Sequence, residues 1–278
     1  MRKIFKVLII AIFFGIFTPL SQATVLQGGV NADGLIKHFH TIIDKVTGKP
    51  VPNARITVPS NNYVTYSDIN GHFELKTCLK GQSIISVEKN NYKPYSQTIT
   101  QKMQESPMIM AIEAISPFDI NIETRLCHLG DNNYSEASSN AGYFKTLAAG
   151  PIYTKEFYVG GNLPDKQYYL VIGSIVGIDT AMARGIGQNR ITNSFASPPS
   201  VYLNGHKIAE IQINGDNQKI RLPHTILKFN QKNTIMIRAG RNLMQIAYVD
   251  YDDIEFMNIS IQAFEKPKQQ RLGFHWEY

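Results

Sequence analysis

Apolar and polar residues alternate along the chain in short runs, and no stretch keeps the 3.6-residue period of a long helix. Residues 55–58 and 118–123 show a clear period of two, which is the pattern of a strand with one buried face. Turn pairs such as Asn70-Gly71 and Asn204-Gly205 separate the runs, and both residue types tolerate the positive φ of tight hairpins. The pattern predicts an all-β protein built of β-sandwiches.

The predicted strands fall into two groups, separated by a polar connector containing Met and Pro at residues 101–117. The first group is predicted at 35–43, 55–58, 63–66, 72–76, 83–87 and 98–99. The second is predicted at 118–123, 152–159, 167–175, 200–203, 207–213, 219–222, 225–229, 233–239 and 254–264. We therefore expect two sandwich domains, at 35–115 and 116–265, with an N-terminal segment at 24–34 and a tail at 266–278.

The last predicted strand changes its alternation partway. Its apolar residues change phase near Met257 and Asn258. A β-bulge at this point would restore a single buried face. A central strand that is buried on both faces would give the same pattern, and the sequence leaves the two open.

The N-terminus has the parts of a secretory signal. Arg2, Lys3 and Lys6 precede an apolar run at residues 7–17, and small residues follow before a cleavage point after Ala23. The run is shorter than the ~20 residues that span a bilayer, although an uncleaved anchor is the alternative. We expect residues 1–23 to be a signal peptide and the mature chain to be secreted or periplasmic, without a membrane span.

Charge and cysteine content narrow the classes of function. Removal of Arg2, Lys3 and Lys6 with the signal lowers the formal net charge from +6 to +3. This mild excess, without a basic cluster interleaved with aromatic residues, argues against nucleic-acid binding. The two cysteines, Cys78 and Cys127, lie in different predicted domains, and they form either one disulfide or two separate thiols.

Three strings in the first half carry a family resemblance: DKVTGKPVPNARITV, TYSDINGHFEL and SIISVEKNNYKP. Their succession resembles the carboxypeptidase regulatory-like, or transthyretin-like, β-sandwich family, although Asn91-Tyr92 stands where Gly-Tyr is usual. The resemblance implies a non-catalytic accessory sandwich. Within it we expect Asp68 to cap a turn, Gly71 to supply that turn's backbone and Phe73 to fill the core. The matching positions are Thr47, Gly48, Pro50, Val51, Ala54, Asp68, Gly71 and Phe73.

The second half resembles the galactose-binding-like jelly rolls that occur as carbohydrate-binding modules. The strings CHLGDNNYSE, QYYLVIG, PPSVYLNGHKIAEI, NTIMIRAG and DYDDIEFMNISI carry this resemblance. It implies a structural calcium between an early loop and the start of the last strand. Calcium takes 6–8 oxygen ligands, a number that the two segments could supply together. The alternative is an acidic loop whose carboxylates cap turns. The candidate ligands are Asp131, Asn132, Glu136, Asp250, Asp252 and Asp253.

The longest stretch without strand character runs from 177 to 199 and is the predicted ligand site. Its polar side chains suit sugar hydroxyls or an acidic sugar, and an aromatic side chain can stack on the apolar face of a sugar. Tyr153 and Tyr158 are further stacking candidates. The alternative is that the aromatics are core residues and the loop covers a sheet edge. The predicted ligand-binding residues are Asp179, Arg184, Gln188, Asn189, Arg190 and Phe195.

No catalytic signature occurs in the sequence. Asp252 and Asp253 are neighbours, so on a strand they point to opposite faces and cannot flank one bond. We expect a non-catalytic protein that binds a carbohydrate or cell-surface glycan. The alternatives are an adhesive surface protein that contacts a protein partner, and an accessory part of a glycan-degrading system or an unrecognised hydrolase.

Overall fold

The computed structural model describes residues 39–79, 81–133, 144–189 and 195–266. These residues all belong to one compact unit, His38–Tyr278. The predicted signal peptide, the segment 24–34 and the tail beyond 266 lie outside the described residues. Within the described residues, no helix has both the length and the apolar character needed to cross a bilayer.

The first sandwich consists of two sheets. One has the strand order β3-β2-β5-β6, and the other has the order β4-β1-β7. The bounds are β1 His40–Asp44, β2 Arg55–Val58, β3 Tyr63–Tyr66, β4 His72–Phe73, β5 Ser83–Glu88, β6 Tyr95–Ile99 and β7 Ile109–Ile112. Their inward side chains, including Ile42, Ile56, Ile85 and Met110, form one buried apolar cluster.

The roles expected for Asp68, Gly71 and Phe73 are confirmed at β4 and the turn before it. Asp68 Oδ1 accepts hydrogen bonds from the backbone N–H of Asn70 and of His72, each at 2.8 Å. Gly71 has φ +73°, in the left-handed region that favours glycine. Phe73 is buried in the core.

The departure from the family pattern at residue 91 has a physical explanation. Asn91 adopts φ +69°, a conformation that asparagine tolerates better than most other side chains. The next residue, Tyr92, donates its hydroxyl hydrogen bond to Asp44 Oδ2 at 2.9 Å. Asn91 therefore adopts a backbone conformation that glycine also adopts readily.

The predicted connector at 101–117 contains two elements that the pattern did not predict. A short helix, α1 (Gln101–Gln104), is followed by β7, which pairs in parallel with β1. All four residues of β7 are apolar and show no alternation, and the partner of β7 lies more than sixty residues earlier in the chain. Tertiary pairing therefore decides this element.

The second sandwich also consists of two sheets, ordered β10-β15-β12-β13 and β14-β11-β16-β8, with β9 paired to β16. Buried aliphatic and aromatic side chains from both sheets form its core. The bounds are β8 Ile120–Glu123, β9 Cys127–Leu129, β10 Ile152–Val159, β11 Lys166–Val176, β12 Ser200–Leu203, β13 His206–Glu210, β14 Gly215–Arg221, β15 Gln231–Arg238 and β16 Ile254–Glu265. The all-β prediction of two sandwiches is confirmed.

The prediction of a strand at 225–229 is wrong. The backbone N–H groups of Ile226 and Leu227 both donate to the Pro223 carbonyl oxygen, at 3.0 and 2.9 Å, which closes a turn. Leu227 is nevertheless buried in the core. The apolar residues of this segment therefore cover the core from a turn, and their burial mimics the pattern of a strand.

Strand β16 is buried on both faces. Every residue from Ile254 to Ile261 is buried, and the ladder with β11 keeps one register through Met257 and Ile259. A register shift does occur against β8, between Ile259 and Ser260. Two-sided burial therefore accounts for the change of phase in the sequence.

The first sandwich covers part of the outer face of β11 and β16. Asn258 Nδ2 on β16 donates to Ser86 Oγ on β5 at 3.1 Å. Ile84 packs with Phe144, Val176 and Met257 in a small apolar cluster. These contacts explain why the outer face of the second sandwich is apolar here.

Candidate ligand-binding sites

The predicted ligand loop is folded onto the end of the second sandwich. It contains a short helix, α2 (Ala181–Gly185), which begins after Thr180. Thr180 Oγ1 accepts a hydrogen bond from the Ala183 N–H at 3.1 Å and donates one to the Gln212 carbonyl oxygen. The hydroxyl therefore caps the helix and attaches it to the segment after β13.

Two of the predicted ligand residues, Gln188 and Asn189, bind other parts of this loop region. Gln188 donates to the Asn214 carbonyl oxygen at 2.9 Å and accepts from the Asn214 N–H at 2.8 Å. Asn189 Nδ2 donates to Asp179 Oδ1 at 2.8 Å, and both side chains are buried. The structure thus places Asp179, Gln188 and Asn189 in the framework that holds the loop.

Arg184 and Phe195 meet at the surface of this framework. The guanidinium carbon of Arg184 lies 3.6 Å from the centroid of the Phe195 ring, which is a cation–π stack. Both residues are half-buried. Arg190 lies outside the described residues.

The two tyrosines considered for stacking occupy different environments on β10. Tyr153 is buried and packs edge-on against Phe256 at 5.3 Å between ring centroids. Tyr158 is 54% exposed. Tyr153 is therefore a core residue, whereas Tyr158 lies at the surface.

The described calcium candidates each accept hydrogen bonds from the chain. Asp131 accepts from the Tyr251 N–H, Asp250 accepts from the side-chain amide of Asn242, and Asn132 Oδ1 accepts from the Ala148 N–H. Glu136 lies outside the described residues. The Asp131–Tyr251 bond, together with the bond from the Asn132 N–H to Asp253 Oδ1 at 3.1 Å, ties the early loop to the segment before β16.

Asp252 and Asp253 are both buried, but they make separate contacts. Asp252 Oδ2 accepts from the Asp179 N–H at 3.1 Å, whereas Asp253 Oδ1 accepts from His128 Nε2 at 2.9 Å. Burial, and then the nearby charge of Asp179, raise the pKa of Asp252 well above its usual value. A bound cation would relieve that repulsion.

The fit to calcium is incomplete within the described residues. In that part of the chain, no three His, Cys, Asp or Glu side chains are grouped so that they could hold a metal ion. Carboxylate oxygens that already accept N–H bonds are also weaker candidates for ligands. The calcium site stays a prediction.

The sequence did not single out His128, which is the partner of Asp253. Its Nδ1 lies at the Thr146 carbonyl oxygen and its Nε2 at Asp253, so both ring nitrogens face acceptors. Burial alone would lower the pKa of His128, but these two hydrogen bonds raise it overall. The two hydrogen bonds therefore favour the protonated form of the ring. A histidine in a strand gave no signal of this partner 125 residues later.

Both cysteines are free thiols in this structure. Cys78 is exposed, and Cys127 is half-buried on β9. Burial raises the pKa of Cys127 to about 11. The described contacts therefore include no disulfide between the two sandwiches.

Comparison with known proteins assigns one part of the chain. Residues 41–116 match the sequence model of the CarboxypepD_reg-like domain, which agrees with the resemblance seen in the first half. No curated protein matches the chain. The second sandwich remains unassigned by family.

Proposed function

We propose that this protein is a non-catalytic, extracytoplasmic binding protein that recognises a carbohydrate through the loop end of its second sandwich. The CarboxypepD_reg-like match at 41–116 supports a β-sandwich protein with a binding or surface role. The jelly-roll resemblance of residues 116–265 supports a carbohydrate as the ligand. The signal-like N-terminus supports an extracytoplasmic location.

The ordered loop at 177–189 is the observation that carries the proposal. Its framework of hydrogen bonds to Asn214 and Gln212 fixes the position of Arg184 on the Phe195 ring. Fixing recognition groups before the ligand arrives lowers the entropy that binding costs. A cation and an aromatic ring together suit a sugar, which has both polar hydroxyls and apolar ring faces.

The buried carboxylates support a non-catalytic role. The side chains of His128 and Asp253 are at most 1% exposed, so this pair has no access to a substrate. Asp252 makes its hydrogen bond to the Asp179 backbone, away from His128. The His128–Asp253 pair and Asp252 therefore stabilise the fold.

A glycan array probed with the mature chain tests the proposal. We expect a saturable signal that Phe195→Ala lowers by about fivefold or more, because stacking contributes on the order of 1 kcal/mol or more. Tyr66→Ala, at an exposed tyrosine on β3 of the first sandwich, is the matched control and should leave the signal unchanged. An array without any sugar signal would contradict the proposal.

An adhesive role is the second candidate, and an exposed apolar loop favours it. Leu243, Met244, Ile246, Tyr248 and Val249 are all exposed, and Ile246 is 95% exposed. Contiguous apolar surface of this kind is typical of protein contacts. No sugar signal, together with a stable protein complex recovered by crosslinking, would favour this candidate.

A further inference from the structure

A cleft of about 300 Å³ lies between the first sandwich and the outer face of β11 and β16. Strand β6 and the ends of β1 and β7 form one side, and β14 forms the other. This volume is at the lower end of the range of ligand pockets, which suits a ligand the size of a monosaccharide. The cleft is separate from the loop end discussed above.

Gly173 on β11 lies at the floor of the cleft. A Cβ at this position would lie 2.5 Å from Ser96 Oγ and 2.7 Å from Asn258 Cβ. A side chain here would therefore push the two sandwiches apart. The glycine brings Ser96 of β6 and Asn258 of β16 close to one another at the bottom of the cleft.

Two polar atoms at this floor lack partners among the described residues. Ser96 Oγ and Asn258 Oδ1 make no hydrogen bond, although the two residues are only 5% and 4% exposed. Leaving a buried polar group unpaired is unfavourable, and such groups call for an explanation. A single hydroxyl group could accept from Ser96 and donate to Asn258, which would satisfy both.

The rim of the cleft is positively charged. Of the described residues that line it, three are lysines, Lys45, Lys93 and Lys219, and one, Glu113, is acidic. Lys45 and Lys93 each lie 3.1 Å from a Glu113 carboxylate oxygen. Lys93 also lies 3.3 Å from Asp119 Oδ2, so two carboxylates face the three ammonium groups. The rim keeps an excess of one positive charge.

Lys219 differs from the other two lysines. Its ammonium lies 4.3 Å from the centroid of the Phe264 ring, which also lines the cleft. In the described part of the chain it makes no ion pair with a carboxylate, so its charge is available to a ligand. Phe264 adds an apolar surface beside that charge.

We propose that this cleft binds a sugar acid, a small molecule with a carboxylate for the lysine rim and a hydroxyl for Ser96 and Asn258. The carboxylate lies at Lys219, and the hydroxyl reaches the floor beside Gly173. The half-buried ring of Phe264 packs against the sugar ring. This site goes beyond the loop-end function and does not depend on it.

Titration calorimetry on the mature chain at low salt tests the site, with sodium glucuronate as the probe and glucose as its neutral counterpart. We expect glucuronate to bind and glucose to bind at least tenfold more weakly, since the lysine rim attracts only the acid. Lys219→Gln should weaken glucuronate binding about tenfold, because a charged hydrogen bond is lost. Lys232→Gln is the matched control, since this lysine is exposed on β15 and is not among the cleft residues.

Ser96→Ala separates a ligand role from a structural one. Removing an unpaired buried hydroxyl should leave the melting temperature unchanged or raise it, while glucuronate affinity falls. Equal binding of glucose and glucuronate, no binding of glucuronate, or equal losses in Lys219→Gln and Lys232→Gln would overturn the proposal.

Two further arms identify the source of the ligand and separate this site from the loop end. An oligosaccharide with a terminal uronate is compared with free glucuronate. Binding of both shows that the site accepts the end of a chain, and binding of glucuronate alone shows that it takes only the free acid. Phe195→Ala should not change glucuronate binding. If Phe195→Ala abolishes it while Lys219→Gln does not, the cleft is not the site and the loop end is.

Discussion

Glu255 on β16 is a buried carboxyl group without a strong partner. It is 2% exposed, and its Oε1 has no hydrogen-bond partner among the described residues. Burial raises the pKa of Glu255 to about 7, and the charge of nearby His128 offsets this only in part. Near neutral pH the side chain is therefore divided between its protonated and charged forms.

Glu255→Gln should change how stability depends on pH. The folded chain holds the Glu255 proton more tightly than the unfolded chain, whose carboxyl has the usual pKa of 4.5. The stabilisation is therefore fully present below pH 4.5 and lost as pH rises through 7. Compared with Glu255→Gln, the wild type should lose up to about 3 kcal/mol of unfolding free energy by pH 8.

Urea unfolding at pH 5 and at pH 8 measures this difference. Glu156→Gln, at an exposed glutamate paired with Lys232, is the control and should follow the wild type. Parallel pH curves for the wild type and Glu255→Gln would contradict the assignment of the raised pKa.

At the scale of elements, the turn between β3 and β4 shows how closely one element packs on another. A Cβ at Gly71 would collide with the Ile42 carbonyl oxygen of β1 and would lie 3.2 Å from the Val51 nitrogen. Gly48 also has a positive φ, of +67°, but a Cβ there would meet nothing within 4 Å. The two glycines share a backbone conformation and differ in the space around them.

Replacing each glycine with alanine should separate conformational strain from crowding. Gly48→Ala should cost about 1 kcal/mol, because an L-residue is strained at positive φ. Gly71→Ala should cost about 3 kcal/mol or more, since the turn must also move away from β1. Urea unfolding measures both, and equal losses would show that crowding contributes nothing.

At the scale of the whole molecule, Asp216 on β14 connects the two sandwiches. Its Oδ1 accepts from the backbone N–H and the hydroxyl of Thr98 on β6, at 2.9 and 2.8 Å. The same oxygen accepts from Ser174 Oγ on β11 at 2.7 Å. Together with the hydrogen bond between Asn258 and Ser86, the bonds of Asp216 to Thr98 link the two sandwiches directly.

We expect the two sandwiches to unfold in one cooperative transition, followed by calorimetry. Asp216→Ala should lower the unfolding free energy by about 1–2 kcal/mol and speed hydrogen exchange at the Thr98 amide, which loses its acceptor. Asp165→Ala, at an exposed aspartate before β11, should do neither. Two separate transitions in the wild type would show that the sandwiches are independent.

The sequence predicted elements best where alternation was long enough or bounded by turns. Strands β2, β3, β10 and β12 have the predicted bounds, and the roles of Asp68, Gly71 and Phe73 follow from the chemistry of one turn. β7 was missed because its four residues are all apolar and show no alternation, and β9 because three residues are too few to show any.

The candidate sites were less predictable. The polar residues of the loop at 177–189 were found as a group, but not the bonds of Gln188 to Asn214 and Asn189 to Asp179. The cleft was not found, since its residues lie on five strands and the segments next to them. No local pattern marks residues that meet only after folding.

The sequence by itself determined the class of fold, the two groups of strands and the turns, because these depend on the period of apolar residues and on backbone preferences within a few residues. Only the tertiary structure decided that β16 is buried on both faces, that His128 meets Asp253, and that Gly173 brings Ser96 to Asn258. These contacts join residues more than seventy positions apart. Packing, burial and charge at such distances arise only when the sheets come together.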